Sequence, residues 1–303
     1  MNIIDKLNNK AKELRVLPDR VIRHYAMERF LYRLAISPYS DKLFLKGGML
    51  MLGIGAPPGR NTLDIDLLGR IDRSQVVRAI RDITKIRIGG NDGISFSQDI
   101  TTQDITKDAL YAGIRVQFHA NVAGKKYDMK VDIGFSDEVY PTPRKISYPV
   151  MLSEMPQPLL ACYTKESIIA EKWQAMIQLG VHNSRMKDFY DLWFLSRNFT
   201  YDFCTLQTAI MRTCERRGTK PQLYKHLLDD IYLKAQQPEW AAYVRKLKSH
   251  TYQQKTEHPL PSRYMADIIA EIMDWLTPVM ENNIQATWHP GKGWIPAPVV
   301  SRD

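Results

Sequence analysis

The sequence predicts an α+β chain: a mixed-sheet domain carrying N-terminal helices, followed by an α-helical C-terminal domain. Two changes of period and one shift in composition carry this expectation. Apolar residues recur at three- and four-residue steps up to about residue 36, alternate over much of 43–150, and return to helical spacing beyond about 164. Between the last two regimes lies a proline-rich stretch, Pro141, Pro143, Pro149, Pro156 and Pro158, which places the boundary between domains 1–158 and 159–303.

Each element follows from local pattern. Val21, Ile22, Tyr25, Ala26, Phe30, Leu31 and Leu34 trace one face of a helix, separated largely by Arg, His and Glu, with Pro18 and Asp19 where a helix start uses them. Leu43-Phe44-Leu45 is a short buried-type strand stopped by Gly47-Gly48, with a short apolar helix over Gly48 to Gly53. Leu63 to Leu68 is a second strand, and Arg73 to Ile86 a helix. Ile94 to Ser97, Ile114 to Val122 and Tyr127 to Phe135 alternate as strands do. Helical spacing then covers Lys165–Leu179, Met186–Arg197, Phe203–Arg216, Leu223–Lys234, Trp240–Lys248 and Arg263–Met280. The last segment holds Trp288, Pro290, Gly291, Gly293, Trp294, Pro296 and Pro298, and is expected to be irregular.

Composition narrows the function classes. The chain has 303 residues, 44% hydrophobic and 25% charged, which excludes a disordered or fibrous protein. No apolar run reaches the roughly 18 residues that span a bilayer, and Met1 to Arg15 shows no apolar signal-peptide core. Three cysteines, Cys162, Cys204 and Cys214, form no metal-type pair, so a reduced, cytoplasmic protein without a membrane partner is expected. The formal net charge of +9 favours a polyanionic partner, a nucleotide or nucleic acid.

The chemistry concentrates around one constellation. In Leu63-Asp64-Ile65-Asp66-Leu67, residues at i and i+2 share a strand face, so Asp64 and Asp66 point together while the apolar residues enter the core. Adjacent carboxylates repel unless cations hold them, and Mg²⁺ is the hard oxygen-seeking cation that also tolerates phosphate. Tyr127-Asp128-Met129-Lys130-Val131-Asp132-Ile133 offers Asp132 in the same geometry, which predicts a three-carboxylate centre for two ions. Upstream, Lys46-Gly47-Gly48 at a strand end lets backbone N–H groups approach phosphate oxygens. A lone D-x-D is more often a solvated strand face; the glycines and Asp132 together tilt the balance toward a site.

The helical half adds two features. Lys172 falls on the apolar stripe of Ile168, Ile169, Ala175, Met176 and Leu179, where a cation needs a partner or a ligand unless it snorkels to the rim. In Arg185-Met186-Lys187-Asp188-Phe189-Tyr190-Asp191, Asp188 and Asp191 share a helix face and Lys187 reaches Asp191 at i, i+4. That cluster is either an ordinary helix ion pair or a group that positions a nucleotide.

Lys46-Gly47-Gly48, Asp64-Ile65-Asp66, Ala170-Glu171-Lys172 and Arg185-Met186-Lys187-Asp188-Phe189-Tyr190-Asp191-Leu192, in that order, resemble the nucleotidyltransferase AbiEii/AbiGii toxin family over roughly residues 40 to 200. The resemblance implies a DNA polymerase β-like nucleotidyltransferase domain and a helical C-terminal domain. It also implies NTP as substrate with Mg²⁺, an RNA acceptor such as the tRNA 3′ end, and a cognate antitoxin. Carried over, Lys46, Gly47 and Gly48 belong to the nucleotide-binding motif, Asp64 and Asp66 to the metal site, Lys172 to the triphosphate and Asp188 to the acid of the late motif. Thr62, Arg185 and Lys187 join the nucleotide-binding set. Asn61-Thr62-Leu63 departs from the Ser or Thr pairs that family members often carry before the acids.

Other readings differ in class. A nucleotidyltransferase acting on a small molecule or protein would want an acidic pocket for a cationic drug, and this chain is basic. A D-x-D glycosyltransferase lacks a use for Gly47-Gly48 and Asp132. A binding module without chemistry would not need three acids. The seven histidines form no H-E-x-x-H or Ser/His/Asp grouping; His119 in a strand is a structural residue, and Arg212, Arg216, Arg217, Lys220 and Lys225 are as compatible with a solvated helix end as with an RNA backbone.

Overall fold

A computed structural model describes residues 2–57, 60, 62–89, 91–107, 111–135, 137–221, 229–251, 260–281 and 284–297. The chain divides into two compact units. One holds Met1–Asp137 and Pro143–Tyr163; the other holds Glu138–Thr142, Thr164–Ser249 and the later helix and hairpin.

The first unit opens with helices α1 (Ile3–Leu14) and α2 (Pro18–Ala35). Asn2 caps α1 by accepting the Asp5 N–H at 2.9 Å, a bond of the kind that contributes about 1 kcal/mol. α2 departs from the predicted one-sided helix, for Glu28, Arg29 and Arg33 are buried with the apolar residues. They are tolerable there because each is paired: Arg29 with Glu28 at 2.7 Å and the Pro156 carbonyl at 3.0 Å, Arg33 with Asp92 at 2.8 Å. The buried pairs tie α2 to distant chain segments.

An eight-stranded mixed sheet follows: β1 (Leu43–Lys46), β2 (Ile65–Gly69), β3 (Ile94–Phe96), β4 (Thr101–Lys107), β5 (Tyr111–Val122), β6 (Lys125–Gly134), β7 (Arg144–Ser147) and β8 (Leu159–Cys162). Helices α3 (Gly47–Gly53) and α4 (Val76–Lys85) interrupt it. The spatial order is β3-β5-β6-β2-β1-β8-β7, with β4 also on β5. β2 runs parallel to β6 and β1 parallel to β8, while the other pairs are antiparallel. Three strands, β4, β7 and β8, fall outside the strands that alternation marks; β7 lies inside the proline-rich stretch and β8 directly after it, with Pro143, Pro149 and Pro158 just outside them. Because β8 pairs with β1, the first unit runs to Tyr163 and not to 158.

The second unit contains α5 (Lys165–Leu179), α6 (Met186–Asn198), β9 (Tyr201–Asp202), α7 (Phe203–Arg216), α8 (Asp230–Thr251), α9 (Met265–Glu281), β10 (Ala286–His289) and β11 (Gly293–Pro296). Thr164 caps α5 and Asp202 caps α7, fixing both starts where the periodicity put them. Two expectations fail. Residues predicted as separate helices before and after Pro238 form one helix; the proline is exposed, so water can satisfy the carbonyl it leaves without a donor (residues 223–228 of that expectation lie outside the described residues). The C-terminal segment is a regular hairpin, with Pro290 and Gly291 in the turn and Trp288 opposite Trp294 across it. The indole N–H of Trp288 donates to the Ser196 carbonyl at 2.7 Å and that of Trp294 to the Trp275 carbonyl at 2.8 Å. Among the described residues no helix is long and apolar enough to cross a membrane.

Candidate active site

The sheet's register brings the predicted residues of the first unit into one row. β1 sets Lys46 opposite Asp66 on β2, β2 sets Asp66 opposite Asp132 on β6, and β6 sets Asp132 opposite Arg115 on β5. Lysine, aspartate, aspartate and arginine thus lie abreast across four strands. The predicted strand start at Leu63 is not met: Leu63 is exposed and Asp64 lies in the bend just before β2, two residues ahead of Asp66.

The glycines serve Asp66 directly. Gly47 has φ +62°, and a Cβ built there would lie 2.0 Å from Asp66 Oδ2 and 2.7 Å from Asp66 Cβ. Only glycine allows both the conformation and the approach. The Gly48 N–H points to the same carboxylate oxygen at 3.4 Å. A Cβ on Gly48 would meet Thr62 Oγ1 at 2.4 Å, so α3 also lies against the loop that delivers the acids. Thr62 in turn donates to the Asp64 carbonyl at 3.2 Å, shaping the backbone just before β2. Asp64 Oδ1 is buried with no hydrogen-bond partner among the described residues, an orphan oxygen of the sort that costs free energy unless a ligand meets it.

Asp132 does not stand ready as a third free carboxylate. Arg115 grips both of its oxygens, Nε to Oδ1 at 2.8 Å and Nη2 to Oδ2 at 2.7 Å. Those hydrogen bonds, with the fields of Asp132, Asp64 and Asp66 behind them, hold the Arg115 guanidinium protonated well above its ordinary range against the opposing pull of burial. Among the described residues no group of three or more His, Cys, Asp or Glu side chains is disposed to hold a metal ion. In this geometry Asp64 and Asp66 stand beside an Asp132–Arg115 ion pair, and Asp132 would act as a third ligand only by giving up part of that pairing. Arg115 escaped sequence reading because its partner lies on the next strand.

Lys46 is likewise engaged. Its ammonium pairs with Asp137, lies 3.5 Å from the Tyr163 hydroxyl and sits 5.1 Å from that ring's centroid; Tyr163 itself donates to Asp137 at 2.9 Å. Asp137 and Tyr163 gave no sequence signal, since Asp137 follows the strand and Tyr163 reads as core.

In the second unit, α5 and α6 bring together Lys172, Asp188 and Asp191. The Lys172 ammonium lies 2.7 Å from Asp188 Oδ1 and 2.7 Å from Asp191 Oδ2, and Arg185 Nε lies 2.9 Å from Asp188 Oδ2. The Arg185 contact is a charge contact by distance whose angle falls short of a hydrogen bond. This accounts for a lysine on an apolar stripe: two buried carboxylates compensate it. Asp191, expected to pair along its own helix with Lys187, also meets Lys172 on α5.

The model of the nucleotidyl transferase AbiEii toxin family, of the type IV toxin–antitoxin system, matches residues 29–258. That span covers most of the chain. The protein belongs to the AbiEii family. It is a nucleotidyltransferase, and its family membership implies a cognate antitoxin. No curated protein matches it. Among solved structures, JHP933 from Helicobacter pylori is similar at 15% identity and TM-score 0.45, covering 84% of this chain and 91% of that one. A candidate nucleotidyltransferase from H. pylori is similar at 14% identity and TM-score 0.43, covering 85% of this chain and 96% of that one. Both scores fall below 0.5, and AbiEii membership stands on the family match.

Proposed function

We propose that this AbiEii protein transfers an NMP group from an NTP to an RNA acceptor, the 3′ end of a tRNA, with Mg²⁺ bound at Asp64 and Asp66. The observation that carries the metal reading is the buried, unpartnered Asp64 Oδ1, two residues before Asp66. Two carboxylates, one in the bend before β2 and one on that strand, supply the hard oxygen donors that Mg²⁺ prefers. When bound, the metal would neutralise charge that builds up on the phosphates during displacement. The chain's own residues orient that site: Gly47 admits the Asp66 carboxylate, the Gly48 N–H fixes one of its oxygens, and Thr62 sets the backbone of Asp64. Arg115 holds Asp132 on the neighbouring strands, so repulsion among three acids is relieved without a third free ligand. In the reaction the acceptor hydroxyl gives its proton to water, its oxygen bonds to the α-phosphorus, the bond from that phosphorus to the bridging oxygen breaks, and pyrophosphate leaves.

The net charge of +9 supports a polyanionic acceptor, and the AbiEii family supports growth arrest relieved by the antitoxin. Free thiols at Cys162, Cys204 and Cys214 suit the reducing cytoplasm where tRNA and NTPs are found. The test is transfer of label from α-³²P-NTP to tRNA, with Mg²⁺ and with chelator, for the wild type and Asp66→Asn. Label appearing in tRNA only with Mg²⁺ and only with the wild type supports the proposal. Transfer that survives chelator rejects the metal, and label found in small molecules or protein but not RNA rejects the acceptor.

A further inference from the structure

A cavity of about 540 Å³ lies within the first unit, apart from the acids of the sheet. Its size falls in the range of small-molecule sites. Leu14, Val21, Met27, Leu52, Leu63 and Tyr148 give it a mainly apolar lining, and Thr62 is its one residue in common with those assigned to the nucleotide.

The charges around it are unequally satisfied. Lys10 is bound by Glu13 at 2.7 Å, and Arg23 lies 3.6 Å from Asp19 and over the Tyr127 ring. Arg20, half-buried in the same lining, has no ion pair or side-chain hydrogen bond among the described residues. Asp19 is its sequence neighbour but is shared by Arg23 and Lys125. One helical turn on, His24 also lines the cavity and has no hydrogen bond among the described residues. An uncompensated guanidinium beside apolar walls carries a desolvation cost that an anion would remove. The imidazole offers a further N–H to the same head group, and the aliphatic lining suits a hydrocarbon body.

We infer that this cavity binds a monoanionic amphiphile, its anionic head on Arg20 and His24 and its apolar body among Leu14, Met27, Leu52 and Tyr148. The chemistry is shared by a free fatty acid and by an anionic lipid of a membrane. Geometry links the cavity to the transferase site, because Thr62 and Leu63 line it and Asp64 follows them directly.

The test is calorimetric titration of the full chain with monomeric dodecanoate, with dodecylammonium as the cationic counterpart, and with phosphatidylglycerol vesicles in a separate sedimentation arm. Saturable one-to-one binding of dodecanoate is expected, weakened about ten-fold or more by Arg20→Gln, as loss of a charge-assisted bond predicts. Leu52→Trp, which fills the cavity, should remove binding, and Asp66→Asn should leave it unchanged. Arg20→Gln has no partner to lose and should melt as the wild type does, so its result is readable even if Leu52→Trp does not fold. Vesicle sedimentation weakened by Arg20→Gln alongside monomer binding would identify a lipid source; monomer binding alone, a free acid. Absence of saturable dodecanoate binding, equal binding by Arg20→Gln, or equal binding of dodecylammonium overturns the inference.

Discussion

Gly47→Ala separates two costs that glycine hides. The first is conformational: at φ +62° an alanine adopts a left-handed backbone, which costs about 1 kcal/mol. The second is steric. The new methyl would lie 2.0 Å from Asp66 Oδ2, 2.6 Å from its Cγ and 2.7 Å from its Cβ. Rotating the carboxylate relieves the first two contacts but not the third, since Cβ is fixed to the β2 backbone. Either α3 or β2 must shift by about 1 Å, an overpacking that costs roughly 1–3 kcal/mol and a displacement worth on the order of 100-fold in rate when it moves a reacting group. The total loss of stability is therefore about 2–4 kcal/mol. Gly55→Ala is the control: φ is +100° but nothing lies within 4 Å, so only the conformational cost applies and transfer activity is retained. Thermal melting and labelled-NMP transfer on both variants check the argument. If Gly47→Ala melts and turns over like Gly55→Ala, the close approach to Asp66 has no functional weight and the reasoning fails.

Lys172→Ala strands two buried carboxylates and should destabilise the second unit by about 3 kcal/mol, with melting partly restored when Asp188→Asn and Asp191→Asn are added. Weakened NTP binding without any change in melting would instead assign the lysine to the triphosphate alone. Asp132→Asn should lower stability by about 1.5–3 kcal/mol through loss of its charged hydrogen bonds to Arg115, yet keep far more transfer activity than Asp66→Asn. Equal inactivation of the two variants would restore Asp132 as a third ligand. His24, whose imidazole burial pulls down to about 4, makes stability depend on pH. The folded state binds fewer protons than the unfolded one between about 4 and 6.5, so this contribution is present above that window and is lost as pH falls through it, by at most about 2 kcal/mol between pH 6.5 and 5. Glu28, which burial against the weaker influence of Arg29 raises to about 7, acts in the opposite sense, losing its contribution as pH rises. Comparing melting of wild type and His24→Gln across that range isolates the histidine, and parallel curves would refute its role.

The fold was legible where a single rule governs a segment. α5 and α7 begin and end where periodicity placed them, because a side-chain cap stands at each start. β7, β8 and the terminal hairpin were hidden by prolines and glycines, which mark breaks in a sequence but here occupy turns and strand ends beside short paired segments. The buried charges of α2 were invisible for another reason. Arg29 and Arg33 look like a solvent face until Pro156 and Asp92, far along the chain, arrive to pair with them.

The candidate site shows the same division between what one strand dictates and what two strands decide. Alternation alone put Asp64, Asp66 and Asp132 on strand faces away from the core, and the parallel register of β2 and β6 sets the last two side by side. Alternation says nothing about a neighbour's occupant, however, and β5 carries Arg115 at the position opposite Asp132. One cation so placed changes the chemistry of the row: it pairs with Asp132, while Asp64 retains an oxygen with no hydrogen-bond partner among the described residues. Lys46 closes the other end of the row by pairing with Asp137. The row therefore pairs its charges at both flanks and keeps Asp66 at its centre, against Gly47 and Gly48, with the unpartnered Asp64 oxygen two residues before it. A divalent cation carrying a nucleotide triphosphate is the chemistry that such a distribution would accept.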